Sequence, residues 1–374
     1  MPISKEIISK RHNDLAVALH LAGLDALALN PGPSLHYLTG LNFHLMERPV
    51  VALFIPHSPV ILILPELETA KLSKLPFAFQ AFPYGENPEA WKNTFRTAAK
   101  ASQLEQAKIG VEPGRLRLLE FGFLQAAAPS WQFPSAETVL SGLRMVKQND
   151  EIEAMRKAVH IAQDALQAFL PSVKIGVTEK ELASELTLQL FRQGSDPEMP
   201  FSPIIASGPN SANPHAYPTD RKLRKGDLLI VDWGASCQGY FSDLTRTFAI
   251  GAASLEDQQI AAAVLQANLA AQAAVQPGVA AGQVDRTARA VIEKAGFGSY
   301  FIHRTGHGLG LEGHEHPYLF GENQLLLKEG MTFTIEPGIY LPDQAGVRIE
   351  DDCIVTDTGC ESLSDYPREL AIIE

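Results

Sequence analysis

Two apolar, strand-forming stretches, residues 228–250 and 331–355, each carry a pair of acids where a buried strand accepts charge only if something positive answers it. In the first, Leu228-Leu-Ile-Val-Asp232-Trp-Gly and Tyr240-Phe-Ser-Asp243-Leu-Thr-Arg-Thr-Phe flank a turn at residues 236–239. Equal spacing from the centre of that turn predicts that Asp232 and Asp243 face each other across an antiparallel pair, with Cβ atoms roughly 4.5–5.5 Å apart. In the second, Glu336 in Thr334-Ile-Glu-Pro-Gly338 and Glu350 in Val347-Arg-Ile-Glu350 flank a turn near residues 342–346, which predicts another facing pair. Like charges opposite one another destabilise a sheet. The neighbours Ile230, Val231, Ile335 and Ile349 argue for burial, so the compensating charge must be local. Two divalent cations balance four carboxylates, and oxygen donors suit manganese, cobalt or zinc. His307, in Arg304-Thr-Gly-His-Gly-Leu-Gly-Leu, is the best neutral donor to complete the set, because glycines on both sides let backbone approach a crowded site. The competing reading, exposed strand acids paired with lysines, stays open for any single acid and is weakened by the recurrence of the pair.

That recurrence extends beyond the acids. Ile175-Gly-Val-Thr-Glu-Lys-Glu-Leu182, with a helical pattern ending at Gly194, returns as Pro277-Gly-Val-Ala-Ala-Gly-Gln-Val284, with a helical pattern ending at Gly296. Each copy precedes one acid-bearing β stretch. The first third reads differently. Short apolar runs at residues 26–30, 50–55, 60–64 and 108–111 predict strands, and helical patterns fall at 66–75, 88–104 and 114–127. A charged run at 144–156 opens a long helix, with Asp150 and Glu151 in its first turn. The boundary is placed near Ser141, giving an α/β domain over 1–140 and an α+β domain over 141–374.

Acids outnumber bases by 43 to 31, leaving no cationic surplus to neutralise phosphates, so a nucleic-acid partner is not expected. Three cysteines without CxxC spacing fit neither a disulfide framework nor a thiolate zinc site and suggest a reducing compartment. The N-terminal segment is amphipathic with no apolar signal core, and the most apolar stretch, 49–65, is broken by Pro56 and Pro59. Secretion and membrane spanning are therefore not expected, and a cytoplasmic location is. Gly308-Leu-Gly-Leu-Glu-Gly313 satisfies GxGxxG, but no strand is predicted to lead into it and it abuts His307, so it is discounted as a dinucleotide site.

The segments Val231-Asp-Trp-Gly, Ser242-Asp-Leu-Thr-Arg, Gly306-His-Gly-Leu-Gly-Leu-Glu-Gly-His-Glu315, Ile335-Glu-Pro-Gly-Ile-Tyr340 and Val347-Arg-Ile-Glu-Asp351 stand in this order along the chain. They resemble the metal signature of the family that includes prolidase, aminopeptidase P and methionine aminopeptidase, whose catalytic domain has a pseudo-two-fold pita-bread fold. The resemblance covers about residues 143–367. The first domain is more loosely similar to the N-terminal domain of prolidases and creatinase. The resemblance implies that Asp232 and Asp243 bind one metal, that Asp243, His307 and Glu336 bind the other, and that Glu350 bridges both, with manganese favoured over cobalt or zinc. It implies an Xaa-Pro exopeptidase in which a hydroxide held between the two cations attacks the peptide. It also assigns His215 and His314 to transition-state hydrogen bonds, His303 to the wall around the second residue, and Arg348 to orienting the metal-bound carboxylates. Tyr340 is read either as a contact to the reaction centre or as a buried strand tyrosine. The implied partners are a proline-containing dipeptide or short peptide and a second copy of the chain, with the loop 41–48 placed to limit substrate length. A small-molecule C–N hydrolase of the creatinase or ectoine hydrolase type shares both domains and is the alternative, although creatinase lacks the full metal set.

Overall fold

The computed structural model describes residues 4–374 and divides into two units, Met1–Arg144 and Met145–Glu374. The apolar runs of the first unit meet in one mixed sheet, ordered Phe79–Tyr84, Val60–Pro65, Val51–Phe54, Ala26–Leu29, Ile109–Gly110. Its inner pairs are antiparallel and both outer pairs are parallel. All residues of Ala26–Leu29, Val51–Phe54 and Val60–Pro65 are buried, which is why these strands read as continuous rather than alternating apolar runs. The helix Pro88–Ala101 lays Trp91, Phe95 and Ala98 into the same core. Phe79–Tyr84 escapes the sequence reading because it is a largely exposed edge strand containing Pro83, without a clear apolar alternation. The predicted helix at 66–75 is a 3-10 helix, Glu66–Lys74, and the one at 114–127 begins later, at Leu118.

In the second unit the helix Asn149–Phe169 starts where the acids at 150 and 151 suggest, with the Glu151 carboxylate accepting the Gln148 N–H at 2.9 Å. The repeat is visible in the backbone. Helices Glu179–Arg192 and Ala281–Lys294 are both 14 residues long. Each is approached through a left-handed glycine, Gly176 or Gly278, and followed by another, Gly194 or Gly296. Each also follows a longer helix, Asn149–Phe169 in one half and Leu255–Ala274 in the other. The first half supplies Leu244–Ile250, Leu228–Trp233 and Ile204–Ser207, to which the C-terminal strand Ala371–Ile373 adds beside Leu244–Ile250, and the second supplies Glu315–Leu319, Gly306–Gly308, Thr332–Ile335, Asp351–Val355, Cys360–Ser362. Val264, Ala267, Ala288, Ile292, Phe333 and Val347 lie in a shared buried core, and a bridge between Thr245 and Glu350 links the two sheets. Among the described residues no helix is long and apolar enough to cross a membrane.

The two acid pairs differ from each other in register. Gln238 and Gly239 both have positive φ, 55° and 81°, and close a two-residue turn between Cys237 and Tyr240. That turn sits slightly later than equal spacing requires, so Asp232 lies opposite Thr245 and not opposite Asp243. The expectation of a directly facing first pair is thereby corrected: Asp243 follows the small hairpin, and the two aspartates meet diagonally. For the second pair, Ile335 stands opposite Asp351 on one side and Gly338 opposite Arg348 on the other, which sets Glu336 across from Glu350.

Candidate metal centre

The structure brings Asp232, Asp243, His307, Glu336 and Glu350 together. Donor atoms of Asp232, Asp243 and Glu350 lie within 4.8 Å of one another, and so do those of His307, Glu336 and Glu350. Glu350 is common to both groups. His307 Nε2 stands 3.5 Å from Glu336 Oε1 and 3.8 Å from Asp243 Oδ2. A third overlapping group contains Asp243, His307 and His314, so His314 reaches the same centre. The backbone needs glycine here: a Cβ on Gly306 would fall 1.9 Å from the Thr334 carbonyl oxygen, and one on Gly308 would fall 2.3 Å from that of His316. Any larger residue would push the His307 strand away from its neighbours.

Hydrogen bonds to partners around the cluster anchor His307, Glu350, Asp243 and Asp232. His307 Nδ1 meets the Gly308 carbonyl at 3.2 Å, so Nδ1 carries the proton and the Nε2 lone pair faces the acids. Thr245 Oγ1 donates to Glu350 Oε2 at 2.7 Å, and the Asp243 N–H donates to Asp352 Oδ2 at 3.0 Å. Arg348 NH2 donates to Asp232 Oδ2 and its NH1 to the Tyr340 hydroxyl at 2.8 Å. That hydroxyl in turn donates to His303 Nε2 at 2.9 Å, while His303 Nδ1 donates to the Arg304 carbonyl at 2.8 Å. Tyr340 is thus buried and also linked to the centre through Arg348.

Charge is poorly balanced in this cluster. Burial pushes the Asp232 carboxyl up against the opposing pull of Arg348. Burial also raises Asp243 well above its ordinary value, with Glu350 and Asp232 adding repulsion, and burial and Glu336 do the same to Glu350. Glu336 is pushed up to about 7, chiefly by burial. Burial keeps His307 neutral, with His314 reinforcing it, and brings His303 down to about 4. Among the described residues Arg348 is the guanidinium that bonds a carboxylate of this cluster, that of Asp232. Burial opposes its charge, yet Tyr340 and the surrounding carboxylates hold its pKa well above the ordinary value. Asp232 Oδ1 is buried with no hydrogen-bond partner. An orphaned carboxylate oxygen in a cluster where Asp232 meets Asp243 and Glu350, and where His307 Nε2 stands by Asp243 and Glu336, belongs to a donor set that fits divalent cations.

The remaining expected residues surround this cluster. His314 is exposed at its rim and its ring packs on that of His307, with centroids 3.7 Å apart at 30°. His215 is exposed on the loop after Ile204–Ser207, near enough to Asp232, His303 and His314 to act on each electrostatically. His303 is half-buried, its Nδ1 4.0 Å from Glu336 Oε2. Sequence reasoning did not single out Thr245 or Asp352, which hold Glu350 and Asp243. It also missed Asp285, whose Oδ1 accepts the N–H and hydroxyl of Thr305 at the start of the His307 strand. Thr245 stands in the quoted Ser242-Asp-Leu-Thr-Arg segment, and opposition to Asp232 was the available signal. Asp285 left no pattern in the sequence.

Residues 153–357 match the model of metallopeptidase family M24, and residues 11–146 match that of the creatinase/prolidase N-terminal domain. A probable dipeptidase of Mycobacterium tuberculosis is 37% identical, covering 98% of this chain and 97% of its own. An Xaa-Pro dipeptidase of Pyrococcus furiosus is 40% identical over 64% of this chain and 68% of its own. The crystal structure of a prolidase from Thermococcus sibiricus superposes with a TM-score of 0.92 at 36% identity, covering 97% of this chain and 98% of that one.

Proposed function

From the premise that the chain belongs to metallopeptidase family M24, with a creatinase/prolidase-type domain before the catalytic one, we propose that it removes the N-terminal residue from dipeptides or longer peptides whose second residue is proline. The observation that carries the proposal is the buried cluster of four acids and a neutral histidine, with Glu350 common to two donor groups. The Xaa-Pro dipeptidase and prolidase among its relatives support the choice of substrate.

In this reading Asp232, Asp243 and Glu350 would hold one cation, and His307, Glu336 and Glu350, with Asp243 beside them, would hold the other. When bound, such a pair would lower the pKa of a coordinated water and polarise a carbonyl oxygen. Arg348 and Thr245 aim the Asp232 and Glu350 carboxylates, and Asp352 fixes the backbone of Asp243. His314 and His215, exposed at the rim, supply hydrogen bonds to the reacting carbonyl and to the departing nitrogen. His303 cannot serve as a free base, because Tyr340 occupies Nε2; it forms part of the wall for the second residue. Proline offers that wall a fixed ring and no amide hydrogen, so it is recognised by shape without an acceptor for that nitrogen.

The proposal extends to manganese as the native ion, with cobalt or zinc as substitutes, to a homodimer, and to a cytoplasmic setting supported by three free thiols. Hydrolysis of Ala-Pro, Ala-Pro-Ala and creatine by the manganese-loaded enzyme tests the reading. Turnover of either peptide supports it; turnover of creatine with both peptides left intact overturns it in favour of small-molecule C–N hydrolysis.

A further inference from the structure

Glu179 is the first residue of the helix Glu179–Arg192 and is fully buried, yet among the described residues no lysine or arginine bonds its carboxylate. Five hydrogen bonds reach it instead. Oε1 accepts the N–H and hydroxyl of Ser207, both at 2.7 Å. Oε2 accepts Asn210 Nδ2 at 2.8 Å, the Thr219 N–H at 2.9 Å and the Thr219 hydroxyl at 2.7 Å. These donors are not a random sample of neighbours. Ser207 ends the strand Ile204–Ser207, Thr219 closes the loop that follows, and Asn210 lies inside it, so one carboxylate ties both ends of the segment 207–219.

Arg221 reinforces the closure: its NH1 donates to Ser207 Oγ at 2.7 Å, its two terminal nitrogens grip Asp227 at 2.7 and 2.8 Å, and its carbonyl accepts the Glu179 N–H at 3.1 Å. Within the loop, Ser211 Oγ accepts the Gly346 N–H at 2.8 Å and the Pro214 carbonyl accepts Arg348 NH1 at 3.3 Å. The loop is therefore pinned at its base by Glu179 and at its crown to the hairpin that carries Arg348. His215 stands between these two anchorages. Its own anchor is a single backbone bond, from its N–H to Asn213 Oδ1 at 3.1 Å, and its ring is exposed.

We propose that Glu179 is a positioning residue, whose carboxylate clasps both ends of the loop 207–219 and thereby sets His215 at the rim of the acidic cluster. The proposal rests on the reading of His215 as a hydrogen-bonding partner of the reacting peptide. A glutamine at 179 keeps the length but turns one oxygen into a donor facing donors, so the clasp opens on one side. The loop then samples more conformations, and His215 spends less time where the reaction needs it.

Hydrogen exchange across residues 208–218 and steady-state kinetics on Ala-Pro, both with metal-loaded full-length enzyme, test this in Glu179→Gln, His215→Ala and the double variant. Thr219→Val and Asn210→Ala each remove one donor from the loop side, and they carry the same comparison if Glu179→Gln does not fold. Exchange in the loop is expected to rise at least about tenfold in Glu179→Gln and less in Thr219→Val. kcat is expected to fall with metal content retained, and adding Glu179→Gln to His215→Ala is expected to cost less than about twofold more, because both act through one side chain. Unchanged exchange overturns the clasp. A loosened loop whose kcat loss multiplies with that of His215→Ala overturns the route through His215. Wild-type kcat in His215→Ala removes the underlying reading and the functional half of the proposal, whereas exchange still decides the clasp.

Discussion

Removing metal from this protein should destabilise the catalytic unit, and by an amount that depends on pH. Without cations, Asp232, Asp243, Glu336 and Glu350 stand together with Arg348 bonded to the Asp232 carboxylate, and all four carboxyls are displaced upward. Glu336, at about 7, sets the window. Between its ordinary value of 4.5 and about 7 the metal-free folded protein keeps a proton that the unfolded chain has released. Its contribution to stability is therefore complete below about 4.5 and lost as pH rises through about 7. Cations held by the deprotonated carboxylates would replace the lost proton with a better partner, so their stabilising effect should grow across the same window. At free metal of about 100 times Kd, one site adds about 2.7 kcal/mol. For a unit of this size about 2–4 °C accompanies each kcal/mol, so each occupied site should raise Tm by roughly 5–10 °C. The assay is thermal unfolding of chelator-treated protein with and without manganese at pH 5 and pH 8. The metal-free Tm should fall from pH 5 to pH 8, and the gain on adding manganese should be larger at pH 8. Equal gains at the two pH values, or an undiminished gain in Asp243→Asn, would refute the reasoning.

Other perturbations separate the roles around the cluster. His314→Ala should lower kcat at least about tenfold while metal content, measured by atomic emission, stays intact; an unchanged kcat would make His314 a packing partner of His307. Tyr340→Phe removes the hydroxyl between Arg348 and His303 and should reduce kcat/KM for Ala-Pro without loss of metal, since no ligand changes, as kinetics with metal analysis would check. Ala-Pro should exceed Ala-Ala by more than about tenfold in kcat/KM, and N-acetylation of Ala-Pro should suppress hydrolysis, because an exopeptidase site must hold the free amine; a chromatographic product assay decides both.

The sequence carried the donor chemistry further than the geometry. Glu336 and Glu350 were placed correctly across from each other because the turn between them is symmetric in the chain. Asp232 and Asp243 were not, because the left-handed pair Gln238 and Gly239 moves the turn, and a small shift in the turn moves the whole register. The repeat was legible through its glycines, which stand where the backbone turns left-handed. What stayed hidden were the residues that hold others in place. Glu179, Asp285 and Asp352 are buried acids that collect hydrogen bonds from distant segments, and neither helical nor strand periodicity marks a residue whose partners lie far away in the chain.

The most direct test of the dinuclear account is anomalous diffraction from crystals grown with manganese. Two strong peaks are predicted, one among Asp232, Asp243 and Glu350 and one among His307, Glu336 and Glu350, with Glu350 contacting both. A manganese-saturated, active enzyme showing no peak at these residues, or a single peak that Glu350 does not touch, would contradict it.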